Sequence, residues 1–127
     1  MSDLAPVALH ERLGIEVTEA SAVRVVATMP VTGNTQPAGL LHGGATAALA
    51  EGVASIGAGL HAGPDRTALG VDLSVTHHRG VRDGRVTAVA RPLHRGSTIA
   101  TYEVAVTDDA GRRVATARLT CVLRSRG

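Results

Sequence analysis

Residues 36–62 read QPAGLLHGGATAALAEGVASIGAGLHA, and the second half of that stretch decides the fold. No Pro interrupts it, and Leu49, Val53, Ile56 and Leu60 recur at spacings that, at ~100° per residue, put them on one narrow helical stripe. A helix over about residues 43 to 61 is predicted, with that stripe lying on a sheet. Glu51, the only charged side chain between Gly43 and Leu60, falls roughly opposite, with Gly44, Ala47, Ala54, Ser55 and Ala58. A carboxylate in such apolar surroundings must be paired, neutralised or used, because an unpartnered buried charge costs several kcal/mol. A face of Ala and Gly also admits a close neighbour, which places Glu51 at a subunit interface.

Outward from this helix the pattern changes period. Upstream, residues 4 to 13 read as a short helix stopped at Gly14. Ile15, Val17 and Glu19, then Val23, Val25, Ala27 and Met29, alternate with the other parity and predict a hairpin. Residues 30 to 41, with Gly, Asn and two Pro, read as a loop. Downstream of Gly63-Pro64-Asp65, four strands are predicted at about 67 to 79, 85 to 95, 98 to 107 and 112 to 124, joined by turns at Arg82-Asp83-Gly84 and residues 108 to 111. In the first, Val71, Leu73, Val75 and His77 share a face; in the last, Ala115, Ala117, Leu119, Cys121 and Leu123 point inward. The order α-β-β-α-β-β-β-β describes one α+β domain over 1–127, a curved antiparallel sheet around a long helix.

Composition bounds the possibilities. A chain of 127 residues builds one core, yet it has no Phe or Trp and a single Tyr, so part of the burial it needs is expected from a partner subunit. All thirteen cations are Arg, with no basic block and no aromatic series for base stacking, which argues against nucleic acid. Cys121 is alone, so neither an internal disulfide nor a Cys-rich metal site is available. His77 and His78, as consecutive strand residues, face opposite ways and complete no metal site. The apolar run at 43–60 is Ala/Gly-rich and broken by Glu51, against a membrane span, and a cytoplasmic location is expected.

The segment Gln36-Pro-Ala-Gly-Leu-Leu-His-Gly-Gly-Ala, followed by Leu49-Ala-Glu51 and Ser55, resembles the signature of hotdog-fold acyl-CoA thioesterases. The similarity is to the type that uses Glu as the catalytic carboxylate, with 4-hydroxybenzoyl-CoA, 1,4-dihydroxy-2-naphthoyl-CoA and PaaI-like phenylacetate-pathway enzymes. It extends through Gly70-Val-Asp-Leu, Thr76-His77, Arg79, Gly84-Arg85-Val86 and Pro92-Leu-His-Arg-Gly-Ser97. The resemblance implies hydrolysis of an aromatic acyl-CoA to free acid and CoA without a cofactor, in a homodimer with composite sites that pairs into a homotetramer.

It also implies roles. Glu51 matches the carboxylate that acts as nucleophile or general base, and Ser55, one turn on, can hydrogen-bond it or the attacking water. Gly43 matches the glycine whose N–H polarises the thioester carbonyl; as the helix's first residue it offers an orphan donor at the positive end of the macrodipole. Gln36 matches a residue close to the thioester, and His42 orients Gln36 or meets the pantetheine arm. His77 matches a position near the acyl group, and Arg79 with His94, Arg95, Gly96 and Ser97 matches regions lining the CoA arm and phosphates. The plainer alternatives are a structural carboxylate at Glu51, a backbone-capping His42 and a simple turn at 94–97. A proofreading thioesterase acting on a carrier protein and a non-catalytic acyl-CoA-binding module are the competing functions.

Overall fold

In the computed structural model, residues 4–126 are described; the ends of the expected domain, 1–3 and 127, lie outside the described residues. The elements are α1 (Ala8–Leu13), β1 (Glu16–Ala20), β2 (Val25–Pro30), α2 (Gly43–Ala62), β3 (Arg66–His77), β4 (Arg85–Arg95), β5 (Ile99–Thr107) and β6 (Arg113–Ser125). This is the expected order. The first helix is shorter than predicted, because only its last six residues are helical; it ends on Gly14, whose φ of 76° is the left-handed conformation glycine adopts without a Cβ clash.

The six strands form one antiparallel sheet in the order β1-β2-β4-β5-β6-β3, and α2 packs against every strand. The sheet thus wraps the helix, as expected of a hotdog fold. Because the sheet curves around α2, more of the helix is covered than one stripe. Leu49 and Val53 are buried as predicted, but so are Ala50, Ala54, Gly57 and Ala58, whereas Leu60 is exposed. The predicted stripe is therefore corrected: the covered face is rotated toward the alanines, and Ala54 and Ala58 meet their own sheet. Glu51 is exposed, and Ala48, Ser55 and Gly59, in line with it at helical spacing, are half-buried.

Tyr102 is the largest buried side chain, and Met29, Leu49, Leu119 and valines fill the rest. Small residues let the layers approach closely: a Cβ on Gly57 would stand 2.6 Å from the Tyr102 ring.

Strand β3 departs from simple alternation. Its partner β6 pairs Cys121 with Gly70 and Thr120 with Asp72, so Val71 is an extra residue in a β-bulge. Leu73, Val75 and His77 share one face, as the two-residue period predicts, opposite Leu119, Ala117 and Ala115 of β6, while Val71 has no partner in the register. The bulge resets the parity, and Gly70 and His77, an odd number of residues apart, both face α2. No helix among the described residues is long and apolar enough to cross a membrane.

Candidate active site

The loop before α2 is built on backbone hydrogen bonds. The buried side chain of Asn34 donates to the carbonyls of Leu13 and Pro30, and the Asn34 backbone carbonyl accepts from His42 N–H at 2.8 Å. Leu41 N–H donates to Val81 O at 2.7 Å, and Arg82 Nη1 donates to Ala38 O at 3.2 Å, so the segment after β3 braces the turn that carries Gln36. Gln36 Oε1 accepts from the Ala38 N–H. With its oxygen engaged there, the Gln36 amide can offer its NH2 donors to a ligand carbonyl.

His42 is the N-cap of α2: its Nδ1 accepts from Gly44 N–H at 2.8 Å. The expected contact with Gln36 is not made, and the backbone-capping alternative is the one observed; accepting at Nδ1 assigns the ring proton to Nε2. The cap takes the Gly44 donor, and His42 O takes those of Ala45 and Thr46. Among the described residues the Gly43 N–H has no hydrogen-bond acceptor. It stands at the positive end of a twenty-residue helix. His77 flanks it closely: a Cβ on Gly43 would lie 3.1 Å from His77 Nε2. His78 faces the other way, its Nε2 3.0 Å from Thr116 Oγ1.

Glu51 lies two turns further along α2 and is exposed within its own chain. A Cβ added to Gly70 would fall 2.8 Å from Glu51 Oε2, which locates the carboxylate over that glycine. Beneath it, Cys121 is buried; burial, together with the charge of Glu51, pushes its thiol up to about 11, so it stays protonated at neutral pH. Ser55 is half-buried one turn on, without a hydrogen bond to Glu51 among the described residues.

The eight residues from Gly43 to Glu51 correspond to about 12 Å of helix rise. Glu51 and the free Gly43 N–H thus stand more than two helical turns apart along one chain.

The remaining predicted residues divide. Arg79 lines a cleft of about 430 Å³ with Leu40, Arg82, Asp83 and Arg112, next to the Gln36 turn. His94, Arg95, Gly96 and Ser97 lie at the other end of α2: His61 Nε2 donates to Gly96 O at 2.8 Å, and Arg66 reaches Ser97 O. One chain thus brings Gln36, His42, Gly43, His77 and Arg79 together, holds Glu51 and Ser55 midway, and keeps residues 94–97 far off. Sequence reasoning assigned no role to Asn34 or Gly70. A glycine inside a strand was the available signal for the last, since such a residue commonly marks a bulge or a close approach.

Comparison with known proteins agrees with this architecture. The thioesterase superfamily pattern matches residues 38–115. A Deinococcus radiodurans protein named as an esterase is 51% identical over 123 residues, spanning 96% of this chain and 77% of its own length. The proofreading thioesterase EntH of Cronobacter turicensis is 45% identical over 112 residues, 87% of this chain and 82% of its own. A thioesterase enzyme of Staphylococcus aureus, solved as a Gln-to-Ala variant, superposes with a TM-score of 0.88 at 30% identity, over 93% of this chain and 99% of its own; a Glu-to-Ala variant of it has also been solved. The chain belongs to the thioesterase superfamily and is a hotdog-fold thioester hydrolase.

Proposed function

We propose that the chain hydrolyses an aromatic acyl-CoA at sites shared between two copies, with Glu51 of one copy facing Gln36 and Gly43 of the other. The observation that carries this reading is that Glu51 stands more than two helical turns from the free Gly43 N–H and is exposed within its own chain. The glutamine and glutamate replaced in the two S. aureus variants stand at the same sequence separation as Gln36 and Glu51, which supports assigning the pair to one reaction.

The Gly43 N–H and the Gln36 amide polarise the thioester carbonyl. Glu51 either takes a proton from water as the water oxygen bonds to the carbonyl carbon, or attacks that carbon itself to give an anhydride that water then opens. In both routes the C–S bond breaks, the sulfur leaves as CoA thiolate and is protonated, and the acyl group leaves as the acid. His77, beside Gly43, borders the acyl group; Arg79, in its cleft, meets the CoA arm. Residues 94–97 join the same site only through the partner copy. Ser55 holds the attacking water.

The sheet edges support pairing of two chains. Strand β1 is short and carries Glu16 and Glu19, charges that protect an edge, whereas β3 has twelve residues and exposes Leu69 (46%), Val71 (61%) and Leu73 (36%). Assembly of dimers into a homotetramer rests on the family resemblance alone.

A second reading is favoured by the 45% identity to EntH: the thioester is presented on a carrier protein, through the phosphopantetheine arm that CoA shares. Thiol release is measured with aryl- and alkyl-CoA esters and with the same acyl groups on a carrier protein, for wild type and Glu51→Ala. Faster turnover of aryl-CoA, lost in Glu51→Ala, is expected. Preference for the carrier thioester selects the second reading, and full activity of Glu51→Ala overturns the mechanism.

A further inference from the structure

We infer that Gly70, at the bulge of β3, is a positioning residue for the Glu51 carboxylate, an inference that rests on the catalytic role proposed for Glu51. Three observations converge on it. Glu51 Oε2 occupies the space where a Gly70 side chain would project, 2.8 Å from an added Cβ, so the missing side chain forms the seat of the carboxylate. Leu119 Cδ1, 3.2 Å from the same point, closes the seat from the side of the core. The bulge at Val71 supplies the third: without the extra residue, strict alternation would turn either Gly70 or His77 away from α2.

The consequence is geometric. Glu51 is exposed within its own chain and forms no ion pair among the described residues, so contact with the strand beneath it is what its own chain supplies to set where the carboxylate rests. A methyl group at position 70 displaces the carboxylate rather than the strand, because β3 is held along its length by β6 while the glutamate arm has rotatable bonds. Strand bulges next to reacting groups commonly re-aim a side chain in this way.

The test is a double-mutant cycle on hydrolysis of the best aryl-CoA ester. Gly70→Ala is expected to lower kcat by about 10-fold to 100-fold, as for a misplacement of the order of 1 Å, with KM changed less than about twofold. In the Glu51→Ala background the same substitution is expected to change the residual rate by less than about twofold, because it acts through the carboxylate. Gly70→Ala/Leu119→Val, which removes the competing Leu119 Cδ1 contact, is expected to melt close to wild type and remain slow. An unchanged kcat in the folded Gly70→Ala or double variant, an equal loss with and without Glu51, or recovery of rate on relieving Leu119 overturns the inference. A fully active Glu51→Ala enzyme would overturn the proposed catalytic role itself, in an arm that contains no change at Gly70.

Discussion

Tyr102 Oη donates to the carbonyl of Gly57 at 3.0 Å and also meets that of Ala22, so the chain's one aromatic ties α2 and the β1–β2 turn to the middle of the sheet. The ring lies against the glycine where any larger residue would hold α2 away.

Two substitutions separate these contributions. Tyr102→Phe keeps the ring but leaves buried carbonyls short of a donor, and is expected to lower unfolding stability by about 1–3 kcal/mol. Gly57→Ala forces a methyl into the ring and is expected to cost at least as much, about 1–3 kcal/mol or more. Urea unfolding of both variants, with unchanged m-values, provides the measurement.

Composite sites predict complementation. Glu51→Ala and Gln36→Ala homodimers should each be strongly impaired, the first by about 10²-fold to 10⁴-fold in kcat for loss of its base. Equal mixing after dissociation makes half the dimers hybrid, and each hybrid has one site with both residues intact. About a quarter of wild-type activity should return. Absence of recovery, with hybrids verified by mass spectrometry, would place both residues in sites made by one chain.

The exposed β3 edge makes a separate prediction. Val71→Lys sets a charge on the strand that two copies would share, and should give monomers by size exclusion with retained far-UV dichroism and lost thiol release. A variant that stays dimeric and active would direct the search for the interface to another surface.

His10 links pH to the packing of α1. It projects at Gly52 of α2, and burial holds its imidazole below the ordinary value of 6.5. Between that lowered value and 6.5 the unfolded chain binds more protons than the folded one, so the contribution is complete above 6.5 and is lost as pH falls through this window. Melting temperature should therefore drop as pH falls below the ordinary imidazole value, and His10→Gln should drop less.

Element order and strand limits were legible because each rests on a local period: four of the strands fall within a residue or two of the predicted limits, and α2 begins at the Gly43 its motif suggested. The site was legible in its residue types but not its grouping. His42 was read as orienting Gln36 or meeting the pantetheine arm, with a backbone cap as the plainer alternative, and its Nδ1 accepts from the Gly44 N–H. Glu51 was read as turned away from its own core toward a partner subunit, and within its own chain it is exposed.

By itself, the sequence determined that one helix with a single carboxylate lies in an antiparallel sheet, and its family resemblance is the basis for proposing Gln36, Gly43 and Glu51 as the reacting groups. Periodicity and short motifs carry that information because each is settled within a few residues. Only the tertiary structure decided which helix face the curved sheet covers, that a bulge turns Gly70 and His77 to the same side, and that Glu51 rests over Gly70 about 12 Å of helix rise from the Gly43 donor. Those relations depend on register and curvature between strands distant in sequence, which no local pattern encodes.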